Sequence, residues 1–273
     1  MDTNSLKATD NPTLANELVA QAIADPTQDE AQEVVIELPS DTLVDLPGGY
    51  ITTDGEVYQT AEVRELNGRD EEALAKASTL GRMLNIALSR GVVSIGGKPA
   101  NETMLEGILS GDRDALLLGI YKVTFGNPAK MAAYCGGCSE YKDIEVDLNA
   151  DIKTRILVNP KEDREFTVEG LKHTYTVLLP NGAVQKEMNM LEDANIPELS
   201  SILLKGTVIA IDGSTVYSPE QVQSIGIRDR RKISEEIANR NPGPKFEDIT
   251  VVCPDCESEV VVPISIGALF QLS

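Results

Sequence analysis

Two short cysteine pairs constrain this chain more than any other feature. They are Cys135-Gly136-Gly137-Cys138 and Cys253-Pro254-Asp255-Cys256, and the sequence has no other cysteine. A two-residue spacer lets both thiolates of a pair face one metal ion, and two such pairs complete a tetrahedron of four thiolates. This ligand set is typical of a structural Zn²⁺ site with no position left for water. The sequence therefore predicts that Cys135, Cys138, Cys253 and Cys256 bind structural zinc.

The alternative is a pair of disulfides or a redox-active thiol pair. Disulfides need an oxidising compartment, and a redox pair usually follows a strand in a thioredoxin-like setting. Neither is visible in the sequence. About 114 residues lie between the two pairs, far more than one zinc ribbon needs. A shared metal would thus tie the middle of the chain to its end.

The charge of the chain narrows the classes of partner. Asp and Glu number 44 against 24 Lys and Arg, which gives a formal net charge of -20. So acidic a chain is not expected to bind nucleic acid or anionic membranes, because both need a basic face. No apolar run has the length of a membrane span, and the first residues lack the pattern of a secretory signal. We therefore expect folding in a reducing cytoplasm.

The first part of the chain differs in composition from the rest. Residues 1–38 are acidic and small, with Lys7 as the one basic side chain, and we expect a mostly disordered acidic tail. After it, Asn67 is predicted to cap a single helix whose apolar stripe runs to Leu88. Thr174 to Leu179 is predicted to be a strand, and Asn181-Gly182 a hairpin turn.

The two halves of the remaining chain share landmarks in the same order. Ile95 matches Ile211, Arg113 matches Arg230 and Cys135 matches Cys253, at offsets of 116, 117 and 118 residues. Nearly constant offsets indicate an internal duplication. The predicted fold is α+β, with two strand-helix-strand-helix-helix-knuckle units that share one zinc-ribbon-like site. We expect the first repeat at 48–150 and the second at 151–273, packed as one globular unit.

Groups that could carry catalysis are scarce. His173 is the one histidine, and its place at the edge of a predicted strand favours a surface or structural role over catalysis. No Ser or Cys has a histidine partner in a recognisable pattern, and the glycines do not form a phosphate-binding loop. Zinc would saturate all four cysteines. The sequence therefore predicts a protein that is not an enzyme.

Two charged clusters precede the cysteine pairs by similar distances. They are Asp112-Arg113-Asp114 and Asp229-Arg230-Arg231, each at a predicted helix start. Asp is favourable at a helix N-terminus, and a neighbouring Arg can bind a carboxylate through two hydrogen bonds. We expect these residues to fix their helix against the other half or against a partner protein. The alternative is a solvated helix end whose ion pairs contribute little.

An ordered set of motifs runs along the chain after the acidic tail. The motifs are Val63-Arg64-Glu65-Leu66-Asn67-Gly68-Arg69-Asp70-Glu71-Glu72, Gly111-Asp112-Arg113-Asp114, the Cys135 pair, Asp229-Arg230-Arg231, Pro242-Gly243-Pro244 before the Cys253 pair, and Leu269-Phe270. This set resembles one known family, the baseplate hub assembly proteins of T-even-type contractile-tailed phages. The similarity covers about residues 48–273 and leaves the acidic tail outside.

The resemblance implies a non-enzymatic structural or assembly protein of a phage tail baseplate or hub. Its partners would be other tail and baseplate proteins, and it could form an oligomer within the baseplate. Its location would be the host cytoplasm during assembly, or the virion tail if it stays in the finished particle. Whether it stays or leaves as a chaperone is open. The other functions left open are a cellular zinc-ribbon adaptor and a thiol-redox protein.

Overall fold

The computed structural model describes residues 42–191 and 195–272 of the chain, and the acidic tail predicted at 1–38 lies outside them. The described residues form a mixed α/β fold of fourteen strands and nine helices. The strands are β1 (Leu43–Ile51), β2 (Val57–Val63), β3 (Val92–Ile95), β4 (Lys98–Pro99), β5 (Pro128–Cys135), β6 (Glu140–Asp147), β7 (Lys153–Arg155), β8 (Glu165–Glu169), β9 (Thr174–Leu178), β10 (Val208–Ile211), β11 (Ser214–Thr215), β12 (Gly243–Lys245), β13 (Ile249–Val252) and β14 (Glu259–Val262). The helices are α1 (Gly68–Ala75), α2 (Leu80–Gly91), α3 (Glu102–Gly107), α4 (Ser110–Phe125), α5 (Gly182–Asn189), α6 (Ile196–Thr207), α7 (Pro219–Gln223), α8 (Ile227–Arg240) and α9 (Ile266–Leu272).

The strands form two larger sheets and three small ones, all antiparallel. One four-stranded sheet has the order β1-β2-β3-β4, and the other has the order β11-β10-β9-β8. The two-stranded sheets are β5-β6, β13-β14 and β12-β7. The first two of these are the hairpins beside the cysteine pairs, whereas β12-β7 joins distant parts of the chain.

The two four-stranded sheets are connected in the same way. In each, two helices separate the second strand from the third, namely α1 and α2 in the first sheet and α5 and α6 in the other. Helices α2 and α6 each have 12 residues and run directly into a strand of four. A two-residue turn and a two-residue strand follow in both places. Two further helices then lead to a hairpin, directly in the first half and after the short strand β12 in the second.

Side-chain caps explain where several helices begin. Asn67 accepts a hydrogen bond from Arg69 N and forms a capping box with Asp70, so the predicted cap is confirmed. The single helix predicted from there to Leu88 is wrong, because Thr79 accepts from Arg82 N and starts a second helix, α2. The strand predicted from Thr174 is present as β9.

The hairpin turn predicted at Asn181-Gly182 is also wrong. The Asn181 side chain accepts a hydrogen bond from Val184 N and starts α5. Asn is favoured both in tight turns and at helix N-caps, so the dipeptide alone does not separate the two. Contacts with the first half of the chain favour the helix start over the turn. Gly182 N donates to Ile108 O at 2.8 Å, and Leu109 and Asn181 form an isolated antiparallel β-bridge.

The buried side chains form two clusters. The first spans the first half and also takes in the end of the chain, including Val260, Val262, Leu269 and Phe270. The Phe270 ring meets Tyr121 of α4 edge-on, with 5.9 Å between ring centroids. The second cluster lies in the second half around Tyr175, Val177 and Leu204. Aromatic contacts and buried aliphatic area of this kind stabilise the packing of distant segments.

Within the described ranges, no helix is long and apolar enough to cross a membrane.

Candidate metal centre

The four cysteines lie at the ends of two β-hairpins. Cys135 is the last residue of β5 and pairs with Glu140 across the hairpin. Cys253 follows β13, and its N–H donates to Ser258 O at 2.8 Å. Each pair therefore lies in the turn of a hairpin, where the chain reverses around it.

The two turns have the same backbone geometry. Ser139 N donates to Cys135 O at 2.8 Å, and Glu257 N donates to Cys253 O at 3.0 Å. Ser139 and Glu257 both have a φ of 59°, in the left-handed region. Non-glycine residues rarely adopt this conformation unless the surroundings hold it. The matching turns bring both cysteines of each pair to the same side.

The four sulfurs converge. Cys135 Sγ lies 3.4 Å from Cys256 Sγ, and Cys138 Sγ lies 3.8 Å from Cys253 Sγ. All four lie within 4.8 Å of one another. Zn–S bonds of about 2.3 Å in a tetrahedron place the sulfurs ~3.8 Å apart. The donor set and its spacing therefore fit one zinc ion, and the prediction that the two pairs meet in space is confirmed.

The centre is partly shielded from solvent. Cys135 and Cys253 are buried, Cys138 is intermediate and Cys256 is exposed. A Cβ atom added to Gly137 would lie 2.8 Å from Cys256 Sγ and in contact with Ser258 Oγ, whereas one added to Gly136 would meet nothing within 4 Å. Gly137 is thus the position where the first hairpin packs directly against the second.

The thiols of the cluster affect one another's ionisation. Hydrogen bonds from Ser258 lower the pKa of the Cys256 thiol, while hydrogen bonding to Cys256 raises the pKa of Cys138. Four sulfurs this close repel one another once ionised, and a divalent cation removes that penalty. At the rim, Lys142 Nζ lies 2.7 Å from a carboxylate oxygen of Asp255 and joins the two hairpins.

The first charged cluster lies in a buried junction. Asp112 is fully buried in the first turn of α4, and its Oδ1 accepts from Gly48 N at 2.6 Å. Its Oδ2 is buried with no hydrogen-bond partner in the part of the chain that the structure describes. Burial therefore raises the pKa of Asp112 to about 6, against hydrogen bonds and the nearby Arg164, which lower it.

Arg113 connects three helices. It donates to Asn85 Oδ1 of α2 at 2.5 Å, to Leu105 O of α3 at 2.8 Å and to Gln185 Oε1 of α5 at 2.6 Å. Gln185 also donates to Asp114 Oδ1 at 3.3 Å. Burial lowers the pKa of Arg113 to about 10 and raises the pKa of Asp114 to about 6.

The second charged cluster has corresponding contacts. Asp229 is buried in the first turn of α8 and accepts from Leu171 N at 2.9 Å and Tyr175 OH at 3.0 Å. Arg230 donates to Val222 O at 3.4 Å and to Ser201 Oγ at 2.8 Å. Arg231 is exposed.

Sequence reasoning missed several partners of these clusters. Asn85, Gln185 and Gly48 come from elements that are distant in the sequence, and only tertiary packing brings them together. His173, expected at a strand edge, is half exposed, and its Nδ1 lies 2.6 Å from a carboxylate oxygen of Asp212.

Comparison with known proteins identifies the family. The family model described as T4 bacteriophage base plate protein matches residues 56–271, which include both cysteine pairs and both charged clusters. No curated protein and no solved structure gives a significant match. The matched range covers most of the chain, and so this protein belongs to the T4 bacteriophage base plate protein family.

Proposed function

We propose that this protein is a non-enzymatic structural or assembly component of the baseplate hub in a contractile phage tail. The observation that carries the proposal is the family match across residues 56–271. The partners are other tail and baseplate proteins. The protein acts in the host cytoplasm during assembly, and the family supports a final place in the virion tail.

Structural zinc is the second part of the proposal. The four cysteines supply a closed set of ligands, which suits a metal that stabilises and not one that catalyses. The zinc joins the hairpin after α4 to the hairpin after α8 and so makes a rigid body for protein–protein contacts. Binding free energy of such a metal is also folding free energy.

An internal duplication is the third part. It is supported by the repeated order of strands, helices and hairpin, in which the second copy begins at Glu165, the start of β8, within the expected range 151–273. It is also supported by side-chain contacts: Arg113 and Arg230 each donate to a carbonyl eight residues earlier, Leu105 O and Val222 O. Zinc then lies between the repeats, with one cysteine pair from each.

The function is tested in the phage that encodes the protein. The gene is deleted and complemented in trans with the wild-type gene or with Cys256→Ser, and lysates are inspected by electron microscopy. We expect tails without baseplates in the deletion, rescue by the wild-type gene and poor rescue by the variant. Normal baseplates and infectious particles without the gene would refute the proposed function.

A further inference from the structure

An open cleft lies where α8 begins, between that helix and the turn that joins β8 to β9. Its volume is about 760 Å³, and its lining includes Gly170, Leu171, Ile227, Arg228, Arg231 and Lys232. Leu171 is 65% exposed and Ile227 is 72% exposed. Both residues line the cleft, which therefore offers exposed apolar contact area beside its charged groups.

Two of the three cationic side chains that line the cleft are free to bind a ligand. Arg228 and Arg231 are exposed and have no hydrogen bond or ion pair from their guanidinium groups within the described ranges. Lys232 Nζ donates to Glu169 O.

The carboxylates of the cleft are mostly engaged elsewhere. Glu169 accepts from Thr174 Oγ1, and the buried Asp229 accepts from Leu171 N and Tyr175 OH. Glu235 is the remaining carboxylate in the lining. Two unpaired guanidinium groups therefore face solvent on a protein whose net charge is -20.

The corresponding place in the first half is covered by an extended segment. There, Asn241-Pro242-Gly243 runs across the start of α4, and a Cβ atom on Gly111 would overlap Pro242 O. Ser110 Oγ lies 3.3 Å from Asn241 Oδ1. The start of α4 thus holds an extended chain directly against its backbone.

The start of α8 differs from the start of α4 at the two positions that contact the extended segment. At an offset of 117 residues, Ile227 replaces Ser110 and Arg228 replaces Gly111. An extended chain cannot approach Arg228 as closely as Gly111, so contact has to be made through the side chains. The first-half counterpart of the covering segment Asn241-Pro242-Gly243, which directly follows α8, is residues 126–128, which directly follow α4. Residues 126–128 do not line the cleft.

We propose that this cleft binds an extended, acidic segment of another baseplate protein. Guanidinium groups bind carboxylates through paired hydrogen bonds, and Leu171 and Ile227 supply apolar contact area. A nucleic acid fits less well, because its dense row of phosphates is repelled more strongly by a protein of net charge -20 than a few carboxylates are, and two free guanidinium groups offer few phosphate contacts in return. The inference rests on the proposed role in protein–protein contacts and adds the place and the chemistry of one partner.

The test uses the full-length, zinc-loaded protein and a fluorescein-labelled peptide with acidic residues on both sides of a Pro-Gly-Pro centre. A peptide of about ten residues reaches ~33 Å when extended. Binding is measured by fluorescence anisotropy at low salt. We expect saturable binding that weakens at about 1 M salt, where the screening length falls to ~3 Å.

A charge reversal and a matched control decide the location. Arg228→Glu with Arg231→Glu is expected to weaken binding by about tenfold or more, since two charge-assisted contacts are lost. The control is Arg69→Glu with Lys130→Glu, which makes the same change in charge at two exposed positions outside the cleft. The control variant is expected to bind the acidic peptide with nearly the wild-type Kd. A small weakening from the added negative charge is expected in both variants.

Three results would overturn the proposal. They are no saturable binding of the acidic peptide, equal weakening by both variants, and equal or tighter binding of a Lys-substituted peptide or a short DNA duplex. The phage deletion gives a separate answer on function: if baseplates need the protein but peptide binding is insensitive to Arg228 and Arg231, the cleft assignment alone fails.

Discussion

Asp112 and Asp229 occupy the same position in the first turn of their helices, yet their surroundings differ. Both oxygens of Asp229 accept hydrogen bonds, from Leu171 N and Tyr175 OH. Asp112 accepts one bond from Gly48 N, and its Oδ2 has no partner in the described ranges. Burying a carboxylate with an unsatisfied oxygen favours the protonated form.

The raised pKa of Asp112 makes stability depend on pH. Its pKa in the folded protein is about 6, above the ordinary value of 3.8. The folded state therefore holds the proton more tightly, and the free energy of unfolding falls as the pH rises from about 4 to about 6. A shift of about two pKa units corresponds to ~3 kcal/mol.

Asp112→Asn should reduce that dependence. The amide keeps an oxygen for Gly48 N and places a neutral group where Oδ2 was. Urea unfolding from pH 4 to 7 is expected to give a shallower decline than in the wild type, with a residual slope from Asp114, whose pKa is also raised to about 6. Asp229→Asn is the control and should lose about 1–3 kcal/mol of unfolding free energy. Its carboxylate accepts from two donors, and an amide has one oxygen for them, so its NH2 group would face the other donor. If the free energy of unfolding of Asp112→Asn declined with pH as steeply as that of the wild type, the assignment of this pH dependence to Asp112 would be wrong.

The cysteines of the proposed metal centre could be identified from the sequence, but the partners of the charged clusters could not. Two Cys-x-x-Cys pairs determine their own ligand spacing, so the four cysteines could be assigned from local pattern alone. The partners of Arg113 could not, because Asn85, Leu105 and Gln185 belong to three different helices. No local signal connects residues so far apart.

At the scale of elements, the two hairpins determine whether four cysteines become one site. Both turns have a hydrogen bond back to the carbonyl of the first cysteine, and in both the residue after the second cysteine has a left-handed backbone conformation. Beside the cysteines and the Lys142–Asp255 ion pair, they are in close contact at Gly137, which packs against Cys256 and Ser258 of the other hairpin.

Gly137→Ala should therefore disturb the metal centre more than Gly136→Ala. The new methyl group would lie 2.8 Å from Cys256 Sγ, so that sulfur must move away from the others. We expect a loss of about 1–3 kcal/mol in unfolding free energy and zinc affinity weakened by about 10-fold or more. Competition with a chromophoric chelator measures the affinity.

Gly136→Ala is the matched control, because a Cβ atom there meets nothing within 4 Å. It should keep nearly wild-type zinc affinity. Equal affinities in the two variants would show that the hairpins do not meet at Gly137.

Helix caps could be predicted only where the local pattern is unambiguous. Asn67 could be recognised as a helix cap, because an acidic first turn follows it, and it forms a capping box in the structure. Asn181-Gly182 could not, because a tight turn and a helix N-cap use the same residues. The choice depends on Ile108 O, which receives the hydrogen bond from Gly182 N.

At the scale of the whole molecule, the cysteine cluster brings together segments that are far apart in the chain, and the proposed zinc would link them. Cys138 and Cys253 are 115 positions apart, and their sulfurs lie 3.8 Å from each other. Closing a loop of about 100 residues removes ~4–5 kcal/mol of unfolded-state entropy in the loop model for covalent links. The end of the chain also packs into the first core cluster through Leu269 and Phe270.

Much of this architecture was predictable in outline. The long spacing of the cysteine pairs implied that the middle and the end of the chain meet, and the sulfur positions agree. The pairing of β2 with β3 and of β9 with β10 was not predictable, and neither was the contact of α9 with α4, because all three depend on packing between distant segments. The proposed duplication lies between these cases: constant offsets suggested it, and the repeated order of elements supports it.

The most direct test is the zinc content of the purified full-length protein, measured by inductively coupled plasma mass spectrometry together with thermal melting. We predict one zinc ion per chain, and its loss together with a markedly lower melting temperature in Cys135→Ser and in Cys256→Ser. A metal-free wild-type protein with four freely titrating thiols, melting at the same temperature as both variants, would contradict the account.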